Sequence, residues 1–275
     1  MILPMITLVL AVLAAMILVM IVGWGVQQAA RNAGWVDVFW TYGTGASCAL
    51  AALVPLAGAG APSLRQLMVA GLVLVWSLRL GTYVAVRVAK GPEDARYAGF
   101  RRDWGAGFQA RMLGVMLIQA PATAALSISI LLAARNPRPG LGLADLIGLL
   151  ILAAAIVGEG IADGQMKRFK ADPAHKGQVC DQGLWAWSRH PNYLFEFAGW
   201  LAYPVIAIRP ADPWTLLALA GPALMFAILR FGTGVPPLEA AMLESRGDAY
   251  RRYQARVSPF LPRPPKPGPP KELPA

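Results

Sequence analysis

Seven apolar runs organise this chain. They fall at roughly 3–26, 39–58, 66–86, 112–134, 141–162, 193–208 and 214–232, and short segments carrying most of the charge separate them. Apolar runs of about 18 residues or more read as membrane-spanning helices, because the hydrocarbon core of a bilayer is about 30 Å thick. The sixth run is short, so it is expected to be tilted or extended by the polar motif before it. The predicted architecture is all-α and integral to the membrane, with seven transmembrane helices and a short amphipathic helix near the C-terminus. The first run has no basic n-region and is longer than a signal peptide needs, so it reads as a span.

Polar positions inside these runs are the next signal, since ionisable groups within membrane helices are costly and mark sites. On the third helix Trp76, Arg79, Tyr83 and Arg87 are spaced three, four and four apart, which places them on one face, with Lys90 following at the helix end. Arg79 lies deep enough to face a bundle interior or a water-filled cavity, whereas Arg87 is near enough to the end to snorkel. The fifth helix ends GEGIADGQMKRFK, with Glu159, Asp163 and Lys167 on one face and Arg168 and Lys170 just beyond. Two adjacent buried carboxylates raise each other's pKa unless donors satisfy them. Either a ligand rich in hydroxyls and amides supplies those donors, or Lys167 and Lys170 form ion pairs at the surface. Asp37 opens the second helix in an aromatic setting of Trp35, Phe39, Trp40 and Tyr42. It reads as a helix N-cap or as a carboxyl that keeps its proton and serves as a general acid.

The densest constellation is GLWAWSRHPNYLFE, which sets Arg189, His190, Asn192, Tyr193 and Glu196 within eight positions at the mouth of the sixth run. Pro191 suits the first position of a helix, where its missing N–H is not needed. Asn192 and Glu196, four apart, share a helical face and present an amide and a carboxylate together. Arg230 closes the seventh run. Glu239, Met242, Leu243, Tyr250 and Tyr253 then outline the amphipathic segment, and Glu239 is its candidate site contact.

Composition agrees with this reading. The 275 residues are 56% hydrophobic, carry a net charge of +10 and have a mean hydropathy of +0.49. With seven spans, Arg65, Arg135, Arg138 and Arg209 fall on one side, and nineteen of the 25 Lys and Arg fall on the other. Because cytoplasmic loops hold the basic excess, the N-terminus is expected outside and the C-terminus inside. Anionic lipid or a phosphorylated cofactor, not nucleic acid, is the expected partner of that basic face. Cys48 and Cys180 have no metal-ligand spacing, and His175 and His190 are too isolated for a histidine metal site. Neither GxGxxG after a strand nor GxxxxGK[ST] occurs. Residues 261–275, LPRPPKPGPPKELPA, form a Pro-rich tail expected to be extended and mobile, after a membrane domain of residues 1–260.

GLWAWSRHPNYLFE, together with EGIADGQMKRFK, WSLRLGTYVAVR and DAYRRYQARVSPFLP, resembles bacterial membrane proteins of the steroid 5-alpha-reductase-like superfamily, in the DUF1295 branch. The resemblance covers nearly the whole chain up to the tail. It implies NADPH-dependent reduction of a carbon–carbon double bond conjugated to a carbonyl, in a steroid-like or other lipidic substrate, with the cofactor held from the cytoplasmic side of a bacterial inner membrane. The cofactor residues it implies are Arg79, Lys90, Glu159, Asp163, Lys170, Arg189, Asn192, Glu196, Arg230 and Glu239. The family's catalytic carboxylate falls on Asp37 and its catalytic tyrosine on Trp76, which leaves Tyr42 or Tyr83 as the implied phenolic donor. Membrane methyltransferases of the isoprenylcysteine carboxyl methyltransferase type also carry an RHPxY element and bind S-adenosylmethionine, so they are the rival resemblance.

Overall fold

The computed structural model describes residues 2–266, and every regular element among them is helical. In chain order the α-helices are α1 (Ile2–Ala30), α2 (Trp35–Leu53), α3 (Leu64–Lys90), α4 (Ala95–Trp104), α5 (Phe108–Leu117), α6 (Gln119–Ala134), α7 (Leu143–Ala171), α8 (Pro191–Trp200), α9 (Ala202–Ala207), α10 (Ala220–Phe231), α11 (Val235–Arg246) and α12 (Asp248–Arg256). Five stretches are long and apolar enough to cross a membrane: Leu3–Ala30, Leu64–Lys90, Arg96–Ala134, Leu143–Ala171 and Pro213–Arg246. They match the first, third, fourth, fifth and seventh apolar runs.

The other two runs differ for physical reasons. The second forms α2, whose 19 residues span about 28 Å at about 1.5 Å per residue, but it is rich in Gly, Ser and Thr. The sixth is interrupted. Pro191 does open α8, but Pro204 has no N–H for the carbonyl four residues back, and the chain breaks at Leu201 into ten-residue α8 and six-residue α9. The single amphipathic segment expected near the C-terminus is two helices, parted by Gly247 at φ +51°.

The chain divides into two compact units. The first is Met1–Leu152 with Trp200–Met225. Its helices turn one stripe inward: on α1, Val12, Met16, Met20 and Gln27 are buried, while Leu10, Leu18 and Val22 are exposed to what a bilayer would fill. Small residues let α2 and α3 touch. A Cβ on Gly45 would lie 2.1 Å from Ser77 Oγ, and one on Gly81 would lie 2.7 Å from the Tyr42 ring. Close backbone approach through small residues is how helices pack where no hydrophobic effect drives them together. Hydroxyls add to it: Ser77 Oγ donates to Thr41 O at 3.0 Å, and Trp40 Nε1 donates to Thr123 Oγ1 at 3.0 Å. Ser63 and Gln66 cap α3 reciprocally.

Arg65, counted above only as one cation of the less basic side, is buried to 4% exposure. Its Nε and one terminal nitrogen grip Asp145 at 2.8 and 2.9 Å, and its other nitrogen donates to the carbonyls of Asn136 and Arg138. This fork joins the start of α3 to the α6–α7 connection.

The second unit is Ala153–Gly199 with Phe226–Ala275. Here α7 and α8 cross at Gly158, where a Cβ would fall 2.3 Å from the Phe195 ring. The first residues of the Pro-rich tail, 261–266, form no helix but are tied down: Arg263 N donates to Trp187 O and Lys266 N to Arg256 O, both at 3.0 Å. The rest of that tail, 267–275, lies outside the described residues.

Candidate functional site

In the second unit the segment Gly183–His190 has little regular structure of its own, so its backbone groups need partners from elsewhere. Gly183, at φ +56°, passes so close to α7 that a Cβ would lie 2.7 Å from the Gln165 amide. Gln165 accepts from Leu184 N, and Trp185 Nε1 donates to Ala162 O at 3.0 Å. On the opposite flank the C-terminal run supplies the rest. Tyr253 donates to Trp185 O at 2.6 Å, Ser188 Oγ to Phe260 O at 2.7 Å, and Arg189 N to Ser258 O at 2.8 Å. Two of the segments quoted for the resemblance, GLWAWSRHPN and DAYRRYQARVSPF, are thus one structure. Burial pushes the phenols of Tyr250 and Tyr253 and the Cys180 thiol up from their ordinary values, so all three are neutral here.

Arg189 is the centre of this structure. Its guanidinium holds Glu239 bidentately at 2.7 and 3.1 Å and donates to Val257 O and Gln254 O. Glu239 also takes the Gln254 amide at 2.8 Å and His190 Nε2 at 3.0 Å. The expectation that Arg189 and Glu239 contact a cofactor is therefore corrected: they are spent on each other and on carbonyls, as a guanidinium only 9% exposed requires. Their part is to hold the His190–Asn192 corner at the mouth of α8.

From that corner the site residues proper emerge. Glu159 and Asp163 on α7 and Glu196 on α8 are all buried, at 5%, 7% and 7% exposure. Asn192 Nδ2 reaches Asp163 Oδ1 at 3.5 Å, so the two polar pairs anticipated separately, Glu159/Asp163 and Asn192/Glu196, meet across the α7–α8 crossing. No group of three His, Cys, Asp or Glu side chains is arranged to hold a metal among the described residues. Lys170 is exposed, and its charge acts on Cys180. Arg230 is half-buried over the Phe231 ring, and its charge helps hold His190 below its ordinary pKa. A cleft of about 400 Å³ opens farther along α7, lined by Gln165, Arg168, Phe169, His175, Cys180 and Gln182, with the His175 ring stacked on Phe169 at 4.2 Å.

The first unit contains its own polar group. Asp37 is neither an N-cap, a place taken by Gly34, nor a lone carboxyl among aromatics. It accepts from Tyr97 Oη at 2.7 Å and from Arg96 at 3.0 Å, and Arg96 also holds Asp94 at 3.0 Å. Next to it Arg101 grips Glu93, which also accepts from Ala33 N. Burial works against the Glu93 and Asp94 carboxylates, but their arginines and backbone donors outweigh it and hold both below the usual range. Arg87 pairs with Asp94 at 3.7 Å, which removes it from the Arg79 face. Arg79 does lie over the Tyr83 ring at 5.6 Å, and the Tyr42 hydroxyl pairs with Thr82 Oγ1 at 2.9 Å. Lys90 is exposed. Trp76 is core, edge-on to Trp40 and Trp200.

Sequence reasoning missed Tyr97, Arg96 and Tyr253 as members of these groups, and set His190 aside once a metal site was excluded. The buried face of α12, Tyr250 and Tyr253 against exposed Arg251 and Arg252, was a usable signal for the last.

Comparison with known proteins bears on the same segments. No solved structure matches. An uncharacterised protein of Schizosaccharomyces pombe is 29% identical over 274 residues, covering 87% of this chain and 75% of the yeast protein. The family model described as protein of unknown function (DUF1295) matches residues 23–257, which takes in α2 through α12 and both polar groups. With that much of its length matched, the chain belongs to the DUF1295 family.

Proposed function

We propose that this protein is a multi-pass membrane reductase that uses NADPH to reduce a double bond conjugated to a carbonyl in a lipidic substrate. The observation that carries the reading is the meeting of Glu159, Asp163, Asn192 and Glu196 in a buried, metal-free crossing of two helices. Buried carboxylates need donors. A nicotinamide carboxamide and ribose hydroxyls are such donors, so these four residues fit that end of a dinucleotide. Lys170 and Arg230 supply the cations that phosphates require, through charge-assisted hydrogen bonds. When bound, NADPH supplies a hydride to the β-carbon of the enone. The protein's task is then to stabilise negative charge growing on the substrate oxygen and to deliver a proton. In the first unit Tyr42, whose hydroxyl is hydrogen-bonded to Thr82 and whose ring lies over Gly81, fits the phenolic donor, with Tyr83 the other candidate. Arg79 and Lys90 fit anion contacts there. Asp37, already paired with Arg96 and Tyr97, fits the orientation of that group and not direct protonation of substrate.

The same proposal counts α2 and the α8–α9 pair as further crossings, seven in all. It puts the N-terminus outside, and the C-terminus and the cofactor on the cytoplasmic side, in bacteria at the inner membrane. A second reading, an S-adenosylmethionine-dependent methyltransferase, is favoured by one observation. Three buried carboxylates in one unit suit a cationic ligand as well as a neutral donor.

Thermal unfolding of the detergent-purified protein separates the two, because a ligand that binds the folded state raises its melting temperature. NADPH is expected to stabilise more than NADH, and S-adenosylmethionine not at all. Stabilisation by S-adenosylmethionine with no response to NADPH gives the case to the methyltransferase.

A further inference from the structure

His190 is 2% exposed, and its two ring nitrogens have different fates. Nε2 sits 3.0 Å from Glu239 Oε1. Glu239 also accepts from Arg189 and Gln254, so the neutral ring places its proton on Nε2, facing the carboxylate. That choice makes Nδ1 a bare acceptor. Nδ1 is buried and has no hydrogen-bond partner. The ring has no freedom to turn away, because its face stacks on Tyr193 at 5.7 Å with the planes 13° apart. An unsatisfied buried acceptor costs about 1–3 kcal/mol, and native structures seldom leave one without a reason. Glu239 is spent four times over on holding this corner, so the fold invests in presenting Nδ1 as a fixed acceptor. It does so two residues before Asn192, the amide that reaches Asp163, and with the Arg230 charge close by.

We propose that His190 Nδ1 is a ligand contact, accepting a hydrogen bond from an N–H or O–H of the bound nicotinamide dinucleotide, with Glu239 and Arg189 as the residues that fix its tautomer. The assignment rests on the reductase reading above and adds to it a residue that neither acidity nor metal binding would have selected. It also accounts for the order Arg-His-Pro-Asn: the arginine anchors, the histidine accepts, the proline starts α8, and the asparagine takes the next contact.

Only two histidines occur in the chain, so their imidazole ¹⁵N signals are assignable with a single His175→Asn variant. In the unmodified protein His190 is expected to show a protonated Nε2 and a bare Nδ1, and saturating NADPH is expected to move the Nδ1 signal upfield, toward that of a hydrogen-bonded acceptor. Two variants test the affinity. His190→Asn keeps an acceptor near the position of Nδ1, and His190→Gln keeps a polar group near Nε2 for Glu239. The glutamine variant is expected to bind NADPH about tenfold more weakly, and the asparagine variant to stay within about threefold of the unmodified protein. An Nδ1 signal that ignores NADPH while NADPH still binds overturns the contact and leaves the reductase reading standing. So does a glutamine variant with unchanged affinity. A signal moved only by S-adenosylmethionine, or no NADPH binding by the unmodified protein, overturns both together. The NMR measurement on the unmodified protein decides the matter even if a variant does not fold.

Discussion

Each unit contains one buried guanidinium held bidentately by a carboxylate, and the two differ in what surrounds them. Arg65, in the first unit, is closed: every nitrogen of its fork has a carboxylate or carbonyl partner, and Asp145 is shared only with the Gly142 N–H. Arg189, in the second, has the same kind of fork, but the carboxylate that it holds is shared with a histidine whose second nitrogen is bare. A purely structural charge network ends in satisfied atoms. One that serves a site carries its satisfaction up to the site and leaves the last atom for something else.

The comparison breaks most sharply at Arg65. Arg65→Ala leaves Asp145 as an unpaired buried carboxylate and is expected to cost about 3–5 kcal/mol of stability with no selective change in ligand affinity. Replacing both partners by apolar residues of similar size is expected to restore most of it, as read from unfolding in detergent.

Smaller effects are expected at the acidic crossing, and there they fall on binding. Glu196→Ala is expected to weaken NADPH by roughly 1.5–3 kcal/mol and Asn192→Ala by roughly 0.5–1.5 kcal/mol, with both proteins folded. Titration by fluorescence of the reduced nicotinamide measures this, and unchanged affinity in both variants would remove these residues from the site.

The smallest expected effect is on pH dependence. Burial, aided by Arg189 and Arg230 and opposed by Glu239, holds the folded-state pKa of His190 below its ordinary value. The unfolded chain then takes up a proton below about pH 6.5 that the fold refuses, so stability falls as the pH drops from there toward the folded pKa. Glu93 and Asp94 in the first unit are lowered instead, so their contribution persists until the usual carboxylate range and is lost only below it. Denaturation curves at pH 7.5 and 5.5 should therefore differ, and His190→Gln should reduce the difference.

Much of this was legible in the sequence. Five of the seven apolar runs became helices long enough to cross a membrane, because a run of that length has few other stable fates. The break at Leu201 was not legible: Pro204 sits inside an apolar stretch whose hydropathy hides it. Of the site, the pairs four apart on one helix were readable from spacing alone, as Glu159/Asp163 and Asn192/Glu196 were. What spacing does not reveal is which cations are already occupied. Arg87, Arg96 and Arg189 look alike along the chain, and their partners lie 7, 59 and 50 positions away. Trp76 was misread for a related reason. Its place in the Arg79 spacing suggested a shared face, but a large ring beside Trp40 and Trp200 packs inward.

The strap made by Tyr253, Ser258 and Phe260 has a consequence in time. Residues 183–190 leave the ribosome some sixty residues or more before the groups that hold them, so during synthesis Arg189 exists with neither Glu239 nor the Val257 carbonyl. Until the last helix is made, the corner that presents His190 and Asn192 has no fixed geometry. A nascent chain already threaded into the bilayer is therefore inert toward any ligand of this corner, and competence arrives in one step, at the end of translation.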